Sequence, residues 1–263
     1  KGGYEIFSGV NVPSKAFGEF VEHKYGTPRL PAEEIKAKLD AGENIVILDS
    51  RPMKEFTSMS IPGGICCPGA ELAYRISDAV DDPQTLVVVN CAGRTRSIIG
   101  AQSLINAGIP NPVVALENGT MGWHLAGYGL DHGQVRRAPN VTKNGLERSR
   151  KMADTVAKRF GVEKVSSADL ERFRTQTSEI TLFVLDVRSP EEYIAGHLPG
   201  SRSAPGGQLV QATDEYVGVR HARLILVDDT GVRATMTASW LIQMGWDNVY
   251  VLDGGLTQSG LEV

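Results

Sequence analysis

The strongest constraint on this chain is that much of it occurs twice. Leu48-Asp49-Ser50-Arg51, followed by Glu55-Phe56 and Ile61-Pro62-Gly63, returns as Leu185-Asp186-Val187-Arg188, Glu192-Tyr193 and Leu198-Pro199-Gly200, at a constant offset of 137 positions. The same offset lays Pro68-Gly69 on Pro205-Gly206, Arg96 on Arg233 and Gly108 on Gly245. After one gap, Leu116-Glu117-Asn118-Gly119 meets Leu252-Asp253-Gly254-Gly255. Register held over this distance means two copies of one domain, and 263 residues is the right length for two domains of about 100 to 150 each. A smaller echo, Gly2-Gly3-Tyr4-Glu5-Ile6 against Ala126-Gly127-Tyr128-Gly129-Leu130, reads residues 1–28 as the tail of a preceding module plus a linker helix. The domains are then expected over 29–131 and 164–263, with a linker helix over 132–163. The second copy lacks any counterpart of Trp123-His124-Leu125-Ala126-Gly127 and is read as truncated, an internal piece of a longer array. The first residue is Lys1, which leaves open a targeting segment ahead of it.

Each copy alternates strand and helix signals. Ile45 to Leu48 and Leu86 to Val89 are short β-branched apolar runs of the type buried on both faces of a parallel sheet, as are Ile180 to Leu185 and Leu224 to Val227. Pro31-Ala32-Glu33-Glu34 opens a helix with proline and acids in its first turn. Ser97 to Ala107 is a second helix, closed by Gly108 where a left-handed residue is needed, and the copy of it ends at Gly245. The fold class expected is α/β: in each copy a parallel sheet with right-handed crossovers and helices on both faces. Between the copies, Leu146, Ser149, Ala153, Val156 and Phe160 recur at helical spacing, an amphipathic connecting helix with Arg148, Lys151, Lys158 and Arg159 on its solvated side.

Composition closes off other classes. With 41% apolar and 22% charged residues the chain is globular, and a net charge of -4 gives no global attraction to nucleic acid or anionic lipid. No apolar run reaches membrane-spanning length. Cys66, Cys67 and Cys91 are too few for a disulfide framework and lack zinc-ligand spacing, which points to a reducing cytoplasm and to no metal. His23, His124 and His132 have no ligand spacing either and are read as surface histidines.

The most informative stretch is Asn90-Cys91-Ala92-Gly93-Arg94-Thr95-Arg96-Ser97, between a buried strand and a helix. Open α/β sheets bind ligands at the carboxyl ends of their strands, and the N–H groups at a helix start favour negative charge. A cysteine there, with two arginines in the same loop, is expected to ionise, reach solvent and act as a nucleophile, since helix ends and cations lower a thiol pKa by about one to several units.

These residues together resemble the rhodanese family: Leu48-Asp49-x-Arg51 with Glu55-Phe56 and Ile61-Pro62-Gly63, the loop from Cys91 to Arg96, and Gly119 with Trp123-x-x-Ala126-Gly127. The second copy is similar through Leu185 to Tyr193, Gly196-His197-Leu198-Pro199-Gly200 and Asp253-Gly254-Gly255, and the tandem arrangement resembles bacterial proteins that string several such modules together. The resemblance implies a sulfurtransferase. Sulfane sulfur from thiosulfate or a similar anion passes through a persulfide on Cys91 to cyanide or a thiol, with no metal or organic cofactor. Cys91 is then the nucleophile, Arg94 and Arg96 bind and polarise the donor, and the backbone from Ala92 through Gly93, Thr95 and Ser97 forms the anion cradle. The implied partners are the anionic donor and a thiophilic acceptor, with a sulfur-acceptor protein or a second copy of the chain as macromolecular partner. Related phosphatases separate cysteine and arginine by five residues; here four stand between Cys91 and Arg96, which favours sulfur over phosphate. The alternatives are a sulfur-carrying or partner-binding module and a cysteine-dependent phosphatase.

In the second copy Asp228 stands at the place of Cys91, with Arg233 matching Arg96, so that site is expected to be inactive. Asp49-Arg51 and Asp186-Arg188 persist in both copies and are read as a structural ion pair or loop tie, with Glu55 and Glu192 as the expected carboxylate partners of Arg51 and Arg188. Cys66 and Cys67 align with Ser203 and Ala204, a position that requires small volume rather than sulfur.

Overall fold

The computed structural model describes residues 13–258 and 261–262, so the echo at Gly2 to Ile6 lies outside the described residues. The chain divides into two compact units, residues 1–145 and 146–263. In the first, strands β1 (Arg29–Leu30), β2 (Ile45–Asp49), β3 (Ile65–Cys66), β4 (Leu86–Asn90) and β5 (Val113–Leu116) form one sheet in the order β1-β5-β4-β2-β3. The second repeats this with β6 (Glu163–Val165), β7 (Leu182–Asp186), β8 (Arg202–Ser203), β9 (Arg223–Val227) and β10 (Val249–Leu252), in the order β6-β10-β9-β7-β8. Every strand pair is parallel, as the continuous apolar runs require.

Both faces of each sheet are covered. In the first unit Ile47, Val88, Val114 and Leu116 bury one face with Ala32 and Ile35 of helix α2 (Ala32–Asp40) and with Trp123. The opposite face carries Val89, beside Gly100 of the long helix Thr95–Ala107 and Leu72. In the second, Leu185, Leu224, Leu226 and Val251 pack with Leu209, Ala238 and Leu241, while Val184, Ile225 and Val227 face Leu170 and Phe173. Each such side chain contributes about 1.5 to 3 kcal/mol on burial, so the alternating two-faced core holds the strand ends in place.

The strand order decides where chemistry can occur. From β2 the chain moves outward to β3, whereas from β4 it moves the other way to β5, so connections leave the carboxyl ends of two adjacent strands in opposite directions. A crevice opens there. The register sets Asp49 beside Asn90 across β2 and β4, which places Asp49-Ser50-Arg51 alongside the loop that starts at Cys91.

Among the described residues, three segments lie outside the alternating pattern. Helix α1 (Pro13–Tyr25) packs on the helix Thr95–Ala107. The helix of the linker occupies Lys143–Phe160, with Ser149, Ala153 and Val156 as its buried stripe. Ahead of it, residues 136–138 run along β3: Cys66 N–H donates to Arg136 O at 2.9 Å and Ala138 N–H donates to Cys66 O at 3.0 Å. Among the described residues no helix is long and apolar enough to cross a membrane.

Candidate active site

The loop between β4 and the helix Thr95–Ala107 is shaped from behind by Gly119. That residue has φ of 56°, a backbone region glycine occupies without penalty, and a Cβ on it would stand 2.7 Å from Gly93 O and 2.9 Å from the Ala92 carbonyl carbon, closer still to Cys91 O. The close approach lets the next residues bind the loop carbonyls: Thr120 N–H donates to Cys91 O at 2.8 Å, and Met121 N–H to Ala92 O at 3.1 Å. The Thr120 hydroxyl adds a second bond to Cys91 O at 3.1 Å and accepts one from Asn90 Nδ2 at 3.0 Å. Peptide units are planar and trans, so carbonyls held on one side turn the amides of Ala92 and Gly93 to the other. The N–H groups of Ala92 and Gly93 therefore face away from Gly119.

The second unit shows where the amides of such a loop converge, forming a nest. Asp228 Oδ1 accepts from Gly231 N–H at 2.6 Å, and its Oδ2 accepts from Arg233 N–H at 2.9 Å and from the Thr230 hydroxyl at 3.2 Å. A buried side-chain carboxyl group fills the cradle. Burial raises the Asp228 pKa, Arg233 opposes the rise and Asp229 adds to it. Gly255, at φ of 52°, presses on the Asp228 carbonyl as Gly119 presses on that of Cys91. By the repeat, Arg94 and Arg96 carry the amides equivalent to those of Gly231 and Arg233.

In the first unit a thiol takes the place of that carboxylate. The expectation that Cys91 reaches solvent is corrected: it is only 2% exposed, while Ala92 to Arg96 are each partly exposed. Cys91 Sγ lies 3.3 Å from Ser97 Oγ, which itself donates to Arg94 O at 2.8 Å. Ala234 replaces Ser97 in the unit without cysteine.

Each predicted arginine has a carboxylate partner. Arg96 is clamped by Glu55, Nη1 to Oε1 and Nη2 to Oε2, both at 2.7 Å. Burial works against its charge, but the Glu55 hydrogen bond, with Cys91 and Asp49 nearby, more than restores it and raises its pKa. Arg94 turns instead to helix α1, binding Glu19 at 3.2 Å and Glu22 in a shorter contact. In the second unit Arg233, fully buried, holds Glu192 at 2.7 and 2.9 Å and Asp229 at 2.7 Å. Burial resists the Glu192 charge, yet Arg233 and the Ser189 donors hold its pKa down to about 2.

The expected partnership of Arg51 with Glu55 and of Arg188 with Glu192 is corrected. Arg51 binds Asp49, Nε to Oδ1 at 2.9 Å and Nη2 to Oδ2 at 2.7 Å, and donates to Met59 O. Arg188 repeats this on Asp186 at 3.0 and 2.6 Å and donates to Gly196 O. Residues two apart in extended chain project to the same side, a signal present in the sequence for this pairing. Glu19, Glu22 and the N–H groups of Thr120 and Met121 carried no such signal. Cys66 and Cys67 are buried; burial and the Asp49 charge push the Cys66 pKa up to about 12, and burial raises that of Cys67.

Fold and loop together define a class: parallel α/β domains with a loop at the strand switch point whose amides converge on Asp228 in one copy and which carries cysteine in the other. The Rhodanese-like domain family matches residues 31–126 and 168–259, more than half of the chain, and the protein belongs to that family. It is similar over 97% of its length to a solved thiosulfate sulfurtransferase from Pseudomonas aeruginosa, with TM-score 0.91 and 57% identity, and covers 49% of that chain. The thiosulfate sulfurtransferase GlpE of Pseudoalteromonas translucida is 32% identical over 74 residues, 28% of this chain and 69% of that protein. The HTH-type transcriptional regulator Rv0324 of Mycobacterium tuberculosis is 32% identical over 100 residues, 38% of this chain and 43% of the regulator. This chain therefore spans about half of the solved relative and less than half of the regulator.

Proposed function

We propose that the protein is a sulfurtransferase in which Cys91 carries sulfane sulfur from thiosulfate or a similar anion to cyanide or a thiol. The observation that carries this reading is the paired loop: in one copy the converging amides clasp a fixed carboxylate, and in the other a thiol occupies that place. The Cys91 thiolate attacks the outer sulfur of thiosulfate. A sulfur–sulfur bond forms to Cys91, the bond to the sulfonate sulfur breaks, and sulfite leaves with that electron pair. Cyanide or a thiolate then attacks the terminal sulfur of the persulfide and returns Cys91 as thiolate. The amides of the nest and the Ser97 hydroxyl stabilise negative charge on the thiolate, the departing sulfite and the persulfide in turn, and do so without reorganising. Arg96, fixed by Glu55, supplies positive charge behind the loop.

Asp228 can neither form a persulfide nor leave its nest free for a donor, so the second unit serves as scaffold. The names of the Pseudomonas and Pseudoalteromonas relatives support the thiosulfate reading, and three unpaired cysteines suit a reducing cytoplasm. Treating the intact chain with thiosulfate adds the mass of one sulfur atom at Cys91, removed again by cyanide, and Cys91→Ser stays unchanged. A wild-type mass that does not move would refute the proposal.

A further inference from the structure

Helix α1 precedes the residues matched by the family, 31–126, yet it reaches the loop of the sulfur site. Phe17 and Val21 are buried, and a Cβ on Gly18 would stand 2.8 Å from Thr95 Cγ2 and 3.3 Å from Thr95 Cα, so the helix backbone lies directly against the start of the helix Thr95–Ala107. From that position Glu19 and Glu22 both take the Arg94 guanidinium. Glu22, 13% exposed, also binds Arg29 at 2.7 Å. Arg94 stands three residues after Cys91 and is 24% exposed, so it belongs to the rim of the nest. In the second unit the matching residue is Gly231, which has no side chain to clasp. The clasp exists only where the cysteine does.

We propose that Glu19 and Glu22 are specificity-determining residues of the sulfur site, and that by holding the Arg94 charge on α1 rather than over the nest they limit how tightly an anionic donor binds. This rests on the reading of Cys91 as a sulfur carrier. A nucleophile that must release sulfite after each turnover gains from a site that does not grip dianions too firmly. With Arg29 also on Glu22, the two carboxylates leave no net positive charge from Arg94 for the donor. Changing both to glutamine keeps an oxygen that accepts from Arg94 and removes only the charge. Donor affinity then rises, most at low ionic strength, since charges near the surface act over about 10 Å at 0.1 M salt and far less at higher salt.

The test uses the full chain in a Cys91→Ser background, with thiosulfate binding followed by titration calorimetry. Adding Glu19→Gln and Glu22→Gln lowers Kd about threefold to tenfold at low salt, and the two proteins converge at high salt. Glu19→Gln alone, at a residue 36% exposed, gives a smaller shift of the same sign and serves if the double variant fails to fold. In protein with Cys91 intact, the double change lowers KM for thiosulfate and, by holding sulfite longer, lowers kcat as well. A merely structural clasp would loosen the loop and leave the salt dependence as it was. Equal Kd at low salt, tighter binding that survives high salt, or no thiosulfate binding by either protein would overturn the proposal. Failure of wild-type Cys91 to load sulfur would refute the sulfurtransferase reading instead, and the calorimetric comparison would still judge the clasp.

Discussion

Replacing Gly119 by alanine tests whether the loop backbone makes the site. The added Cβ would lie 2.7 Å from Gly93 O and 2.9 Å from the Ala92 carbonyl carbon, so restoring ordinary contact moves the loop by roughly 1 Å. Holding alanine at φ of 56° costs about 1 to 2 kcal/mol and the crowding about 1 to 3 more. Against a typical domain stability of about 5 to 15 kcal/mol the first unit stays folded. Its nest, however, no longer converges on Cys91, and a misplacement of about 1 Å lowers the rate of sulfur loading by about 100-fold. Gly255→Ala is the matched control: φ is 52° and the crowded atoms belong to Asp228, so stability falls similarly while loading on Cys91 is unchanged. Single-turnover loading by thiosulfate, read by intact mass, together with urea unfolding of each variant, measures both quantities. Should Gly119→Ala be folded, destabilised as expected, and still load sulfur at the wild-type rate, the backbone nest is not what activates Cys91.

Two further outcomes follow from titrating groups. Glu192 has its pKa lowered from 4.5 to about 2, so its pairing with Arg233 stabilises the fold above pH 4.5 and the contribution is lost as pH falls toward 2. Discounted for a side chain 34% exposed, the loss is about 1 to 2 kcal/mol; acid unfolding of wild type and Glu192→Gln should therefore converge as pH drops, and parallel curves would count against the pairing. With the Cys66 pKa near 12 and Cys67 fully buried, iodoacetamide at mildly alkaline pH should modify neither in native Cys91→Ser protein, and both once it is unfolded; native labelling would contradict their burial.

The sequence determined, without coordinates, that two α/β domains of one kind stand in tandem, that a loop after the fourth strand of the first holds Cys91, and that its twin holds Asp228. Such facts are carried by linear information: an offset between copies, an apolar run bounded by turn residues, a glycine where a helix must stop. Four features were decided by the tertiary structure alone: the pairing of Arg96 with Glu55, the turn of Arg94 toward Glu19 and Glu22, the backbone carbonyls pinned behind the loop, and the depth of Cys91. Opposite charges attract without regard to position in the chain, so composition offers every arginine many carboxylates. Which pair forms depends on directions of approach that exist only once the strands are in register and the helices have docked.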